Sequence, residues 1–382
     1  SLAGGGAGAQ LSGVLAVKSG DILRVWAGNG GVGSASGANP ALGGEGYAAG
    51  GDSTGSSNAT GSAQVVGSDS GYVYGASGGG SSAVELVRDG SVTVVAVAGA
   101  GGGGAQLGTL TTHQRIFDTQ PKDQLNPALR IAMEHSDANS TAGGSAGGDL
   151  GTDNTGQGGM LVASPYQEFK PLDEDDKTLD MRFMVTGGTA GRSGVAGALG
   201  EAMIGILDEN NELKLMPMST SWFESYDFPR YYLYGGDSVH EGEKGTGGAN
   251  ATGSYRGKGG SGALLSRTQG KLSLASVASG GGAGYGGGGA GLNIWTVGSY
   301  YEGVFGRQVQ FENEGNIYSL SALSSGGGAG GSYINHEVVS DFALATAQNA
   351  NPTAGVRSPG SAALYSCTEN ATLNTPITEG AL

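Results

Sequence analysis

Ser77 and Ser145 each sit in a Gly-x-Ser-x-Gly pentapeptide, the spacing that lifts a nucleophilic hydroxyl onto a tight strand-to-helix turn. Neither precedes an apolar pattern of helical length, so neither reads as a nucleophile elbow. Gly99, Gly101 and Gly104 match Gly-x-Gly-x-x-Gly after a strand-like run, with Asp118 downstream. Residues 105–114 lack helical periodicity, however, and a pyrophosphate would find no helix N-terminus there. With 79 glycines among 382 residues, such matches recur by chance. His113, His135, His240 and His336 lie far apart, without zinc-ligand spacing. Cys367 is the lone cysteine, which excludes an internal disulfide and a multi-thiolate site; it reads as a free thiol or an intermolecular bridge. The run Asp173-Glu174-Asp175-Asp176 lacks the alternating ligands and central glycine of a calcium loop and reads as a solvated turn. No catalytic, cofactor or metal site emerges, and an enzyme is not expected.

The remaining chemistry is that of surfaces. Trp222, Phe223, Tyr226, Phe228, Tyr231, Tyr232 and Tyr234 crowd into 13 residues, where an aromatic content of 7% predicts about one. They read either as the core of a β-subdomain or as a subunit contact or sugar-stacking surface, where Tyr and Trp join a flat apolar body to a polar tip. Tyr285, Trp295, Tyr300 and Tyr301 form a weaker second group. Sequons for N-glycosylation stand at Asn58, Asn139, Asn250 and Asn370, about as often as chance places them in a chain so rich in Ser and Thr.

Glycine sets the elements that must carry these residues. It makes up 79 of 382 positions, against roughly 7% in an average protein. Ten prolines are too few for collagen, and 14% charged with 37% hydrophobic residues is not the balance of a disordered chain. A net charge of −15 opposes phosphate backbones, so no nucleic-acid partner is expected. No apolar run reaches the ~18 residues of a membrane span, and no secretory leader pattern opens the chain.

One arrangement recurs along the chain: a short strand-like run enters a glycine tract. Residues 22–26 lead into 28–33, 91–98 into 99–104, 180–185 into 187–200, 271–278 into 280–291, and 316–323 into 326–331. Gly188, Gly191, Gly194, Gly197 and Gly200 fall every third residue, the period of a polyproline II-like helix made of glycine. Taken as one rod, this tract is predicted to span roughly 40 Å. Such a helix bonds none of its own amides, so neighbouring tracts must supply partners, and a bundle is expected. Residues 129–134 alternate as a strand, with a short helix capped near Asn126-Pro127 as the alternative. Residues 203–216 read as a β-hairpin. The expected class is mainly β, with strands feeding a polyglycine II bundle and little or no α-helix.

The tracts Gly280–Gly289 and Gly326–Gly331 followed by Ser332-Tyr333-Ile334-Asn335 resemble the closing signature of the glycine-rich domain family. Residues 82–104 are similar to its central hairpin, and Val17–Leu23 to its first strand pair. That family includes bacterial and phage surface proteins and the ectodomains of anaplastic lymphoma kinase-type receptors. The resemblance covers residues 1–106 and 240–335 and implies a β-sandwich joined to a polyglycine II bundle, with no catalytic residues to carry over. Family members have a longer strand before the first glycine tract, where only Ser1-Leu2-Ala3 stand here.

The expected organisation is thus a first glycine-rich part (1–106), a β-rich insertion (107–186), a second glycine-rich part (187–336) holding the hairpin and the aromatic segment 222–234, and a C-terminal extension (337–382). The extension carries β-like pieces at 341–346 and 362–367 and is expected to supply a strand to a neighbouring subunit. The function expected first is a non-catalytic structural protein of the extracellular space or a cell or virion surface, self-assembling into filaments or a surface layer. The alternative is an adhesin whose aromatic loops bind surface glycans.

Overall fold

The computed structural model describes residues 5–32, 41–53, 76–104, 162–163, 167–169, 179–207, 213–217, 239–241, 245–254, 256–262, 264–269, 272–299, 309–313, 316–347, 359–366 and 375–376. Strands β1 (Ala9–Leu15), β2 (Ile22–Trp26), β3 (Ser82–Arg88) and β4 (Ser91–Ala98) come first. They are followed by β5 (Val162–Ala163), β6 (Gln167–Phe169), β7 (Leu179–Val185), β8 (Ala202–Leu207), β9 (Leu213–Pro217) and β10 (Val239–Glu241). Next come β11 (Leu264–Gln269), β12 (Leu272–Val277), β13 (Asn293–Ser299), β14 (Val309–Asn313) and β15 (Asn316–Ser324). The last are β16 (Tyr333–Ile334), β17 (Val339–Thr346), β18 (Tyr365–Ser366) and β19 (Thr375–Pro376). All pairings are antiparallel, and no α-helix occurs among the described residues. The protein is mainly β.

The order β16-β4-β3-β2 makes one sheet, and β1 pairs with β17 in another. Val-rich β4 returns on β3 through Asp89-Gly90, whose φ values of 51° and 78° suit the two-residue hairpin turn that matches strand twist. Leu86, Val95, Ile334 and Val339 form the apolar cluster shared by the two sheets, with Leu11, Leu15, Leu23 and Val84 packed around it. The tail stretch 341–346, expected to reach a neighbouring subunit, lies in the second of these sheets. That stretch is β17, and it pairs with β1 of the same chain from Ala9↔Thr346 to Leu15↔Val339. The pairing covers Leu11 and Leu15 and leaves the strand committed within its own chain.

Between these strands run glycine limbs whose backbone bonds advance by three residues. From Gly280 to Tyr285, successive amides donate to Ala76, Gly260, Gly328, Gly79, Gly257 and Gly331. The first and fourth reach one limb, the second and fifth another, the third and sixth a third. Each partner also shifts by three, so consecutive amides point to three different neighbours. Elsewhere Gly6 and Ala9 donate to Gly102 and Gly99, and Gly188 and Gly191 to Gly326 and Ala329. Such contact leaves no room for side chains: a Cβ on Gly282 would overlap the Ala100 carbonyl oxygen, and one on Gly288 the Gly328 carbonyl oxygen.

Tract 187–200 is not one rod. Thr189 N–H donates to Ala198 O at 3.0 Å, Arg192 and Val195 exchange backbone bonds, and Ser193 and Gly194 have φ of 47° and 82°. The chain reverses at Arg192–Val195, giving two shorter antiparallel limbs in place of the roughly 40 Å span expected from a three-residue helix. Residues 245–262 and 278–292 reverse in the same way, near 250–257 and at 284–286.

Hydroxyls finish the limbs where strand geometry takes over. Ser332 Oγ accepts from Gly99 N, Ser81 Oγ from Ala48 N, Ser325 Oγ from Leu292 N, and Thr186 Oγ1 from Glu201 N, all at 2.8–3.0 Å. Ser81, Ser279, Ser325 and Ser332 are buried, and these bonds satisfy amides that would otherwise be desolvated without partners.

The bundle therefore has two distinct ends. At the sheet end, limbs continue into β1, β2, β3, β4 and β16, and the turns near 45–48, 192–195, 250–257 and 284–286 close over. At the opposite end, junction residues bond side by side: Ala76 with Gly104, Thr186 with Glu201, Thr246 with Ser261, Ser279 with Gly291, and Leu292 with Ser325. The limbs stop at that end at Ser53, Gly104, Glu201, Gly262 and Leu292 and resume there at Ala76, Thr186, Gly245, Ala278 and Ser325, with excursions between. The excursions carry the sheets β5-β7-β8-β9 and β10-β13-β15-β14 and the pair β11-β12. The 203–216 region is a hairpin there, with Leu207 opposite Leu213.

Candidate functional site

Trp222, Phe223, Tyr226, Phe228, Tyr231, Tyr232 and Tyr234 lie outside the described residues. Their flanks are described: β9 ends at Pro217 and β10 starts at Val239, so the aromatic segment belongs to the excursion that leaves after Glu201 and returns by Gly245. Asn58, Asn139, Asn370, His113, His135, Tyr300, Tyr301, Cys367 and the 129–134 and 173–176 stretches also fall outside. Asn250 is exposed in a turn at the sheet end, where its Oδ1 accepts from Ala196 N at 2.8 Å.

A second aromatic group, drawn from distant parts of the chain, assembles at the sheet end. Trp26 closes β2, and Tyr47 sits in the 45–48 turn, anchored by its amide to Ser81 O. Their rings meet edge to face, with centroids 5.2 Å apart. Tyr285, in the 284–286 turn, stacks on Tyr333 of β16 at 4.1 Å and 22°. Of the weaker sequence group, Tyr285 is thus placed in an aromatic contact. Trp26, Tyr47 and Tyr333 carried no local signal, because Trp26 and Tyr47 stand 21 positions apart in the chain and Tyr333 stands 48 from Tyr285.

Charged groups thread this cluster. Glu85 is buried on β3 opposite Arg24, whose guanidinium stands 4.0 Å from its carboxylate. Burial first, then the charge of Glu85 and hydrogen bonding toward it, push the Tyr47 phenol above its ordinary value. Burial also raises Tyr333, helped by Tyr285 and Glu337. Over the Tyr47 ring, 5.1 Å from its centroid, lies the guanidinium of Arg256. The ion pairs among the described residues are Lys18–Asp89, Arg24–Glu85 and Arg88–Asp21, so Arg256 has no carboxylate partner there. Its φ of 48° is left-handed, a strain of about 1–3 kcal/mol for a residue with a side chain, in a turn flanked by Gly253 and Gly257.

The Arg88–Asp21 pair lies apart, bracing the loop between β1 and β2. Arg88 Nε and Nη2 reach Oδ1 and Oδ2 of Asp21 at 2.9 and 2.6 Å, and Nη2 also reaches Ala16 O at 3.0 Å. These bonds, with the Lys18 amide, hold the Asp21 carboxyl at about 2, below its ordinary 3.8.

Among the described residues, no group of His, Cys, Asp and Glu is gathered as a metal site, and no helix is long and apolar enough to cross a membrane. No family model matches the chain, and neither a curated protein nor a solved structure matches it.

Proposed function

We propose that this chain is a non-catalytic structural module of an extracellular, cell or virion surface, in which a polyglycine II bundle of the glycine-rich domain type holds binding loops in place. The three-residue step of the backbone bonds and their three-way distribution support the polyglycine II reading. The observation that carries the display role is the lateral bonding of the junctions Thr186–Glu201, Thr246–Ser261, Ser279–Gly291 and Leu292–Ser325. These junctions thereby stand side by side at one end of the mount. The aromatic segment 222–234 lies between β9 and β10 in the sequence, and Trp222, Phe223, Tyr226, Tyr231, Tyr232 and Tyr234 are the residues proposed to stack on surface glycans. The adhesin reading thus comes ahead of the filament reading, because β17 is committed within its own chain.

A filament or layer subunit stays as the second reading on a different observation. Among the described residues strand β2 is paired on one side, and Ile22 is 58% exposed along it, the kind of edge onto which another copy adds a strand. A glycan array on the parent and on Trp222→Ala and Tyr231→Ala variants tests the first reading: bound glycans lost by both variants support it, and a silent parent array ends it. Electron microscopy of the same preparation reads the second, which fails if the particles stay single at high concentration.

A further inference from the structure

We infer that the sheet end holds a second ligand site, beyond the display role, built on Arg256 over Tyr47 and suited to a sugar that bears a carboxylate. The inference rests on the conformation and company of Arg256. Its turn is fixed by Gly257 N–H donating to Asn250 O and by Gly257 O accepting from Gly284 N, and the same turn bonds Ala251 N to Gly194 O. At a φ of 48°, glycine would sit without strain, as it does at Gly257, yet an arginine stands there. What the strained residue provides is a guanidinium laid over the Tyr47 ring at 5.1 Å, with no carboxylate among the described residues to fill its donors. A planar fork held in this way recognises a carboxylate through two parallel N–H donors. The Tyr47 ring beneath is itself held, by its backbone amide on Ser81 O and its edge on Trp26. Arg24, with its side chain 54% exposed and only 4.0 Å from Glu85 at the edge of pairing distance, flanks the same cluster. Half-exposed Trp26, Tyr47, Tyr285 and Tyr333 offer flat apolar surface of the kind a sugar ring covers. In a chain with a net charge of −15, long-range attraction does not bring an anion here, so the local guanidinium must do so.

The site is tested on the full chain by calorimetry and an array carrying glucuronate- and sialate-terminated oligosaccharides beside their neutral counterparts. Arg256→Gly is the chosen variant because glycine accepts the backbone conformation, so its thermal midpoint is expected to equal or exceed the parent's. Losing the charge-assisted bonds is expected to weaken binding about tenfold to hundredfold. Acidic sugars bound by the parent, weakened to that extent in Arg256→Gly and retained in Trp222→Ala, support the inference. A parent that binds no acidic sugar, an Arg256→Gly variant that binds as well as the parent, or equal binding of the neutral counterparts overturns it. Binding lost in Trp222→Ala and kept in Arg256→Gly also overturns it, while leaving the display reading in place.

Discussion

Alanine at Gly282 and alanine at Gly8 should change stability in opposite directions, although both sit in glycine limbs. At Gly282 the added Cβ meets the Ala100 carbonyl oxygen at a separation no real Cβ tolerates. That oxygen accepts from Gly330 N at 2.9 Å, and the Gly282 amide donates to Gly328 O at 2.8 Å. Relieving the overlap means moving one limb from the other and stretching at least one of these buried bonds. Overpacking costs about 1–3 kcal/mol, and a buried backbone group left unpaired costs about 1–3 kcal/mol more, so the loss should be about 2–6 kcal/mol. A domain is stable by about 5–15 kcal/mol, so the change removes a large share of the total. At Gly8 the same Cβ would stand 3.7 Å from the Gly99 carbonyl oxygen, an ordinary contact, at a φ that is not left-handed. There the variant only restricts the unfolded chain, and a gain of about 0.4–1 kcal/mol is expected. Urea denaturation followed by tyrosine and tryptophan fluorescence reads both differences. Equal losses at the two positions, or no loss at Gly282, would refute the view that interlimb backbone contact, rather than glycine's flexibility, is what demands the residue.

Acid should weaken the loop between β1 and β2. The Asp21 carboxyl is held at about 2 in the fold against 3.8, so its contribution is complete above the unfolded value and disappears as pH falls through the folded one. Denaturation midpoints measured between pH 6 and pH 2 should therefore fall less steeply in Asp21→Asn than in the parent; parallel curves would remove Arg88–Asp21 from the account. Ser325→Ala removes the acceptor for Leu292 N and the donor to Thr186 O, at 3.0 and 2.8 Å, from a fully buried position. It should cost roughly 1–3 kcal/mol and raise hydrogen exchange at the Leu292 amide, whereas unchanged exchange there would show that water replaces the hydroxyl.

The strands were legible because their signals are local. Alternation in Ser91–Ala98 and the Asp89-Gly90 pair mark β4 and its turn from the sequence alone, and the junction from strand to glycine tract falls where composition changes. The reversal inside 187–200 was hidden for a definite reason. Gly188 and Gly191 on one limb and Gly197 and Gly200 on the other keep one count of three through the turn, so periodicity reports a single rod. The only local mark is Arg192-Ser193, two residues with long or polar side chains placed where the limb must leave the lattice. The hydroxyl caps had a signal that composition alone conceals: Thr186, Ser279 and Ser325 each stand at the last strand-like position before glycine. The sheet-end cluster had none, because Trp26, Tyr47, Arg256, Tyr285 and Tyr333 meet only after the limbs have been threaded together.

Glycine's large backbone entropy loss makes this bundle costly to order, and no greasy core offsets that loss inside it. Its interior is instead a set of backbone bonds, and the 280–285 limb shares its donors among three neighbours, so it cannot shift without breaking bonds to several others. That gives stiffness in cross-section without dependence on the identity of side chains, which an apolar core cannot offer. Sequence is then free to vary where the chain leaves the lattice, and two kinds of exit exist. At one end long excursions depart between capped junctions, and their composition is unconstrained by the mount. At the other end short turns lie close together, and Ser193 and Arg256 are held there in left-handed conformations, Arg256 over the Tyr47 ring. A scaffold that fixes its turns and junctions by backbone bonds and a few side-chain caps would, on the proposed display role, place the demand for specificity on the side chains that the lattice leaves exposed.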